Sequence, residues 1–233
     1  MPSPSDVLDE APSGSSRGPS RWTRGGDTRA RLVVVGERLF ATRGIDGAST
    51  REITRVAGVH GDAIHYHFGS KDAFVGAILE QGIAQLDGHV GRLLGAVGEG
   101  RSPTVREVAD ALVQSTLAMA SSKGSGRYYL PFAAALLADP RLRHLATSRP
   151  TPWSDRLLDV LTPLTPWLTP TERSYRVGVA GFLLIHGLSE GPGGSPIVEW
   201  MTGQAPEASQ QSPALLADVL TGMLGAPSGA PER

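Results

Sequence analysis

The sequence predicts an all-α protein of nine or ten helices, a small N-terminal three-helix unit joined to a larger helical body. Three observations predict it. Apolar residues recur at helical spacing through most of the 233 residues. No stretch alternates apolar and polar residues as a half-buried strand would. Gly and Pro gather at the two ends, where residues 1–26 and 189–233 hold 21 of the 47 within 71 positions. The 40% hydrophobic residues suffice for a core. The chain has no cysteine, which excludes disulfides, thiolate metal sites and thiol catalysis. No apolar run reaches the roughly 18 residues of a membrane span. The Pro/Ser/Gly-rich, acidic N-terminus has no apolar region of the kind a secretory signal needs, so a cytoplasmic protein is expected.

Taken in order, residues 1–26 read as a disordered arm. Thr28–Arg43 is a helix with Leu32, Val35, Leu39 and Phe40 on one face. Thr50–Ala57 opens on Ser49-Thr50-Arg51-Glu52, the spacing of a capping box. Gly61–His67 follows a tight turn at Ala57-Gly58-Val59, where Gly58 supplies the positive φ that the turn needs. A long helix spans about Lys71 to Val97, although Gly76, Gly82, Gly88, Gly91 and Gly95 each cost it roughly 1 kcal/mol against Ala. Val105–Ser121 starts behind Pro103 with Thr104 as N-cap. Arg127–Ala138, the short Pro140–Thr147, Thr151–Leu164 and Thr171–Leu188 come next. Gly191-Pro192-Gly193-Gly194 is a helix stop, and Pro213–Leu224 is a last amphipathic helix. This divides the chain into an arm (1–26), a three-helix N-terminal unit (27–72), a body (73–225) and a disordered tail (226–233).

The formal net charge of -1 argues against a nucleic-acid partner only when it is averaged. Residues 17–71 carry nine Arg and Lys71 against five acidic residues, a local +5, while the segments on either side are each -3. The basic segment is also where two short helices meet across a glycine turn, the arrangement of a helix-turn-helix unit. Ile53, Val56, Val59, Ile64 and Phe68 are spaced to hold those helices against Leu39 and Phe40. That leaves the outer side of residues 61–67 for a major groove.

The stretch from Thr28 to Phe74 resembles the TetR family of bacterial repressors. The resemblance rests on Leu39-Phe40, Arg43-Gly44, Arg51-Glu52-Ile53, Ala57-Gly58-Val59, Tyr66-His67-Phe68 and Ser70-Lys71-Asp72. It covers about 47 of 233 residues, and the rest of the chain matches only in length and helical character. The resemblance implies DNA contacts from Ser49, Thr50 and Arg51, from Gly61, Asp62, Ala63, His65, Tyr66 and His67, and from Lys71. Lys71 stands at a helix N-terminus, which also favours phosphate. His65 stands where Tyr is usual, and Gly61-Asp62 replaces a commoner basic-then-small pair. An aspartate facing DNA is repelled by phosphate but accepts a hydrogen bond from cytosine N4.

For the body, the resemblance implies an effector cavity walled by the fourth to eighth helices. His89, Met119, Tyr128, Tyr129, Phe132, Phe182 and His186 are its candidate lining. It also implies a homodimer through the helices at 151–164 and 171–188, with Trp153, Leu157, Leu161, Val177, Gly181, Leu184 and Leu188 as candidate contacts. The expected partners are a double-stranded operator, a small-molecule effector and a second copy of the chain, with no membrane. No cofactor, metal site or catalytic residue is called for, because neither a glycine-rich phosphate loop nor a nucleophile–histidine pairing is visible. The alternative is a helical adaptor for a small molecule or a protein that has lost DNA recognition.

Overall fold

The computed structural model describes residues 24–97, 101–122, 124, 126–148, 151–188 and 213–229. Most of the expected arm lies outside these residues, but its last three positions belong to the first helix. The elements are α1 (Arg24–Gly47), α2 (Thr50–Val56), α3 (Ala63–Phe68), α4 (Lys71–Val97), α5 (Val105–Ala120), α6 (Tyr129–Ala138), α7 (Arg143–Thr147), α8 (Pro152–Leu164), α9 (Pro170–Leu188) and α10 (Pro213–Gly225). No strand occurs among the described residues. At Gly44 (φ 73°, ψ 165°) the path of α1 leaves the helical region, so the regular helix ends at Arg43 as its apolar spacing predicts.

Local chemistry fixes the helix starts. Ser49 caps α2 by accepting the Glu52 N–H at 3.1 Å. The second half of that expected capping box does not form, because Glu52 turns its carboxylate to Arg43 instead. The full box forms at α5, where Thr104 accepts from Glu107 N and Glu107 accepts from Thr104 N at 2.8 Å. Arg101 also donates to Glu107 and, with the Thr104 N–H, holds its carboxyl down at about 2. Thr169 and Glu172 repeat the reciprocal pattern at α9.

Helices α1 to α3 form a head. The 27-residue α4 runs from it into the body formed by α5 to α10. Two hydrophobic clusters hold this together. The first joins Leu32, Phe40, Ile53, Ile64, Phe74 and Ile78 to Met119, Tyr129, Phe132 and Leu136, and so crosses the boundary expected at residue 72. Phe40 bridges the two sides, with ring centroids 5.8 Å from Phe74 and 6.2 Å from Phe132. The second cluster is aliphatic and packs α4, α5, α8, α9 and α10 around Leu112, Leu157, Leu161, Leu184 and Leu220. Val56, expected inside the head, is 37% exposed. Ala57 takes the inner position instead, because the chain is already turning toward Gly58 there.

Candidate nucleic-acid interface

Gly58 has φ 62°, the left-handed conformation that lets α2 turn into the segment leading to α3. The turn closes through Val59 N–H to the Thr54 carbonyl at 3.0 Å and Ala57 N–H to the Ile53 carbonyl at 2.9 Å. Ile53 and Ile64 anchor the two helices in the head core at 0% and 2% exposure. The recognition helix is shorter than its sequence spacing implies, since it begins at Ala63 and leaves Gly61 and Asp62 in the turn before it.

Most expected contact residues lie on the outside of this unit. Ser49, Arg51, Gly61, Asp62, His65 and Tyr66 are exposed, with Tyr66 at 85%, while Thr50, His67 and Lys71 are half-buried. Ala63 is the exception: it is buried and packs into the head core, so it lines the surface from beneath. The Asp62 carboxylate does not cap its own helix and sits 3.7 Å from the His60 ring. Tyr66 stands edge-on to His67 at 5.0 Å. Lys71 begins α4 behind the Ser70 cap, with its ammonium 5.7 Å from the centre of the Phe40 ring.

The structure adds two residues that the sequence pattern does not mark. Thr28 and Arg31 of α1 join Gly58, Val59, His60, Asp62, Ala63, Tyr66 and His67 around a groove of about 400 Å³. Arg31 therefore places a guanidinium beside the recognition helix, in a long ion pair with Asp27 at 3.9 Å. The signal that could have found it is the helical register of Thr28–Arg43, since Arg31 lies next to the buried Leu32 and cannot share its face.

Residues 32–78 match the family model described as "Bacterial regulatory proteins, tetR family". The likeness to that family is confined to this stretch. The chain is 37% identical over 54 residues to the HTH-type transcriptional regulator TtgR of Pseudomonas putida, across 23% of this chain and 26% of that protein. The chain thus matches about a quarter of the length of the curated relatives it resembles. The fold likeness extends much further. NalD of Pseudomonas aeruginosa, the secondary repressor of the MexAB-OprM multidrug efflux pump, superposes with a TM-score of 0.56 at 16% identity, over 87% of this chain and 98% of NalD. AibR, solved in complex with isovaleryl coenzyme A and operator DNA, superposes at 0.55 with 17% identity, over 86% of this chain and all of AibR. The body therefore shares the helical fold of NalD and AibR.

The body residues singled out in the sequence fall into three places. Met119, Tyr129 and Phe132 share the first core cluster, and burial raises the Tyr129 phenol well above its ordinary range. Tyr128 and His89 are half-buried, and His89 faces Arg92 on its own helix at 2.8 Å. The Phe182 and His186 rings lie 4.3 Å apart, tilted by 39°, with Phe182 57% exposed, so they do not join the Met119–Phe132 group.

The expected dimer contacts differ in burial within their own chain. Leu157, Leu161, Val177 and Leu184 are at most 5% exposed within their own chain and belong to the second cluster. Leu188 and Trp153 are half-buried, and the Trp153 ring lies 3.4 Å from where a Gly181 Cβ would stand. The outward stripe of α9 lies two residues earlier: Tyr175 (74% exposed), Gly178, Val179, Phe182 and His186. Both faces of this helix are apolar, and the more aliphatic one is spent on the chain's own core. Among the described residues no helix is long and apolar enough to cross a membrane.

Proposed function

We propose that the chain is a sequence-specific DNA-binding regulator of transcription that acts as a homodimer on a pseudo-palindromic operator. The observation that carries the reading is the head itself, a helix-turn-helix with Tyr66, His65, Asp62 and Arg51 held outward over a rigid core. Ser49, Thr50 and Lys71, with Arg31 from α1, are assigned to phosphates. Residues 61–67 are assigned to base edges, Ala63 supporting them from beneath. Asp62 would select against guanine and for cytosine, whose N4 amino group is a donor.

The apolar α9 stripe supports a two-fold pairing, in which Tyr175 and Phe182 of one copy meet the same residues of the other. Pairing of this kind sets two heads at a fixed distance, as two adjacent major grooves require. Residues 27–72 are assigned to DNA and residues 73–225 to dimerisation and to a small-molecule effector. NalD and AibR, as described above, support repression and effector control. An effector would favour a head spacing that no longer fits the operator. The role is one of binding and not of catalysis, and it belongs in the cytoplasm with the DNA.

The test is selection from a random-sequence duplex library with the full-length chain. The expected outcome is enrichment of an inverted repeat, with half-sites about one helical turn apart. Failure to enrich any sequence over random DNA would overturn this reading in favour of an adaptor that has lost DNA recognition.

A further inference from the structure

Glu37 is the one carboxylate among the buried polar residues of the described chain, at 1% exposure. It lies on α1, in the head, yet its hydrogen bonds cross into the body. The Gly126 N–H donates to its two carboxylate oxygens at 2.9 and 3.0 Å, and the Tyr128 N–H donates to one of them at 2.8 Å. Both donors lie at the entry to α6, whose N-cap residue Tyr128 makes no side-chain cap of its own. The head thus supplies the cap of a body helix. Elsewhere the seam is held by less directional contacts. Phe40 stacks on Phe132, and the exposed Arg141 bridges a partly covered Asp139 and an exposed Asp46.

Apolar stacking and solvated ion pairs tolerate sliding and rotation. A carboxylate gripped by two nearby backbone N–H groups does not, because these charge-assisted bonds are short and depend steeply on angle. A buried carboxylate is also costly unless its bonds are intact, so the seam has one low-energy register. We propose that Glu37 is the positioning residue that fixes the angle of the DNA-binding head on the body, by clasping the entry of α6. A rearrangement of the body that moves the start of α6 is handed to α1 through this side chain as well as through the Phe40–Phe132 stack. The consequence for half-site spacing rests on the DNA-binding reading; the clasp does not.

The experiment needs no DNA. The chain has no cysteine, so Arg55→Cys in the head and Asp159→Cys in the body, both exposed, accept one spin label each. Labelled chain is diluted with unlabelled chain so that only distances within one molecule are read. With Glu37 present the head-to-body distance distribution is narrow. Glu37→Gln keeps the size of the side chain but turns an amide NH₂ toward a backbone N–H. The distribution then broadens by about twofold or shifts its centre, while far-ultraviolet circular dichroism stays helical. An unchanged distribution in a folded Glu37→Gln chain overturns the proposal. If that variant does not fold, amide exchange on the unaltered chain decides. The Gly126 and Tyr128 amides should be as protected as that of Phe40, and exchange about 100-fold faster would mean that the clasp opens in the native state and holds nothing.

Discussion

The first hydrophobic cluster is aromatic, contains Phe40, Phe74 and Phe132, borders a buried carboxylate and spans head and body. The second is entirely aliphatic among its buried members and lies within the body, where it packs α8, α9 and α10 against α4 and α5. The contrast divides the work. The second cluster builds a platform that leaves Tyr175 and Phe182 of α9 outside its core. The first fastens the helix-turn-helix head to that platform, and adds to non-directional packing the hydrogen bonds of Glu37 to Gly126 and Tyr128. A head joined only by aliphatic contact would be attached but not aimed.

The largest expected effect comes from truncating the shared cluster. Phe132→Ala should cost roughly 3–5 kcal/mol by cavity formation. Because the cluster is continuous, head and body should lose structure in a single urea transition, seen alike by circular dichroism and by protection of the α2 and α3 amides. A separate, earlier head transition would break the view that one core serves both.

Two glycines of α4 sharpen the comparison at smaller cost. A Cβ at position 82 would fall inside the Tyr129 ring, whereas position 88 is open. Gly82→Ala should therefore destabilise by about 1–3 kcal/mol through overpacking. Gly88→Ala should stabilise by roughly 0.5–1 kcal/mol through helix propensity. Urea midpoints that moved in the same direction for both would contradict the tight seating of Tyr129 on α4.

The smallest effect is electrostatic. The carboxyls of Glu107 and Glu172 are held at about 2, below their usual 4.5, the first chiefly by Arg101 and the second chiefly by the Ser228 hydroxyl. A folded-state value below the unfolded one gives stability that is complete above about pH 4.5 and is lost as pH falls toward 2. Melting temperatures between pH 2 and 6 should show this decline, and Glu107→Gln should flatten part of it. A Glu107→Gln curve parallel to that of the unaltered chain would contradict the assignment.

The head was legible in the sequence because local rules dictate it. Ser49 must cap, Gly58 must turn, and Ile53 and Ile64 must face inward, all within one short stretch. Arg31 was legible only as an outward position in the helical register, and Glu37 was not legible. An acid on an amphipathic helix is ordinarily solvated, and the backbone groups that bury Glu37 lie 89 and 91 residues away. The α9 register was hidden for a different reason. Val177, Ala180 and Leu184 form as good an apolar stripe as Tyr175, Val179 and Phe182, and the packing of α5, α6, α8 and α10 decides which one faces inward. Met119 and Phe132, the expected cavity lining, are both fully buried in the first cluster.

The most direct test of the central reading is the salt dependence of binding to the selected duplex. Phosphate contacts from residues such as Arg31 and Lys71 must release counterions, so log K should fall linearly with log salt concentration. Lys71→Ala should make that slope shallower by roughly one and lower affinity alike on every sequence. A flat plot would contradict the account, and a Lys71→Ala chain that changed its base preference would contradict the role given to Lys71.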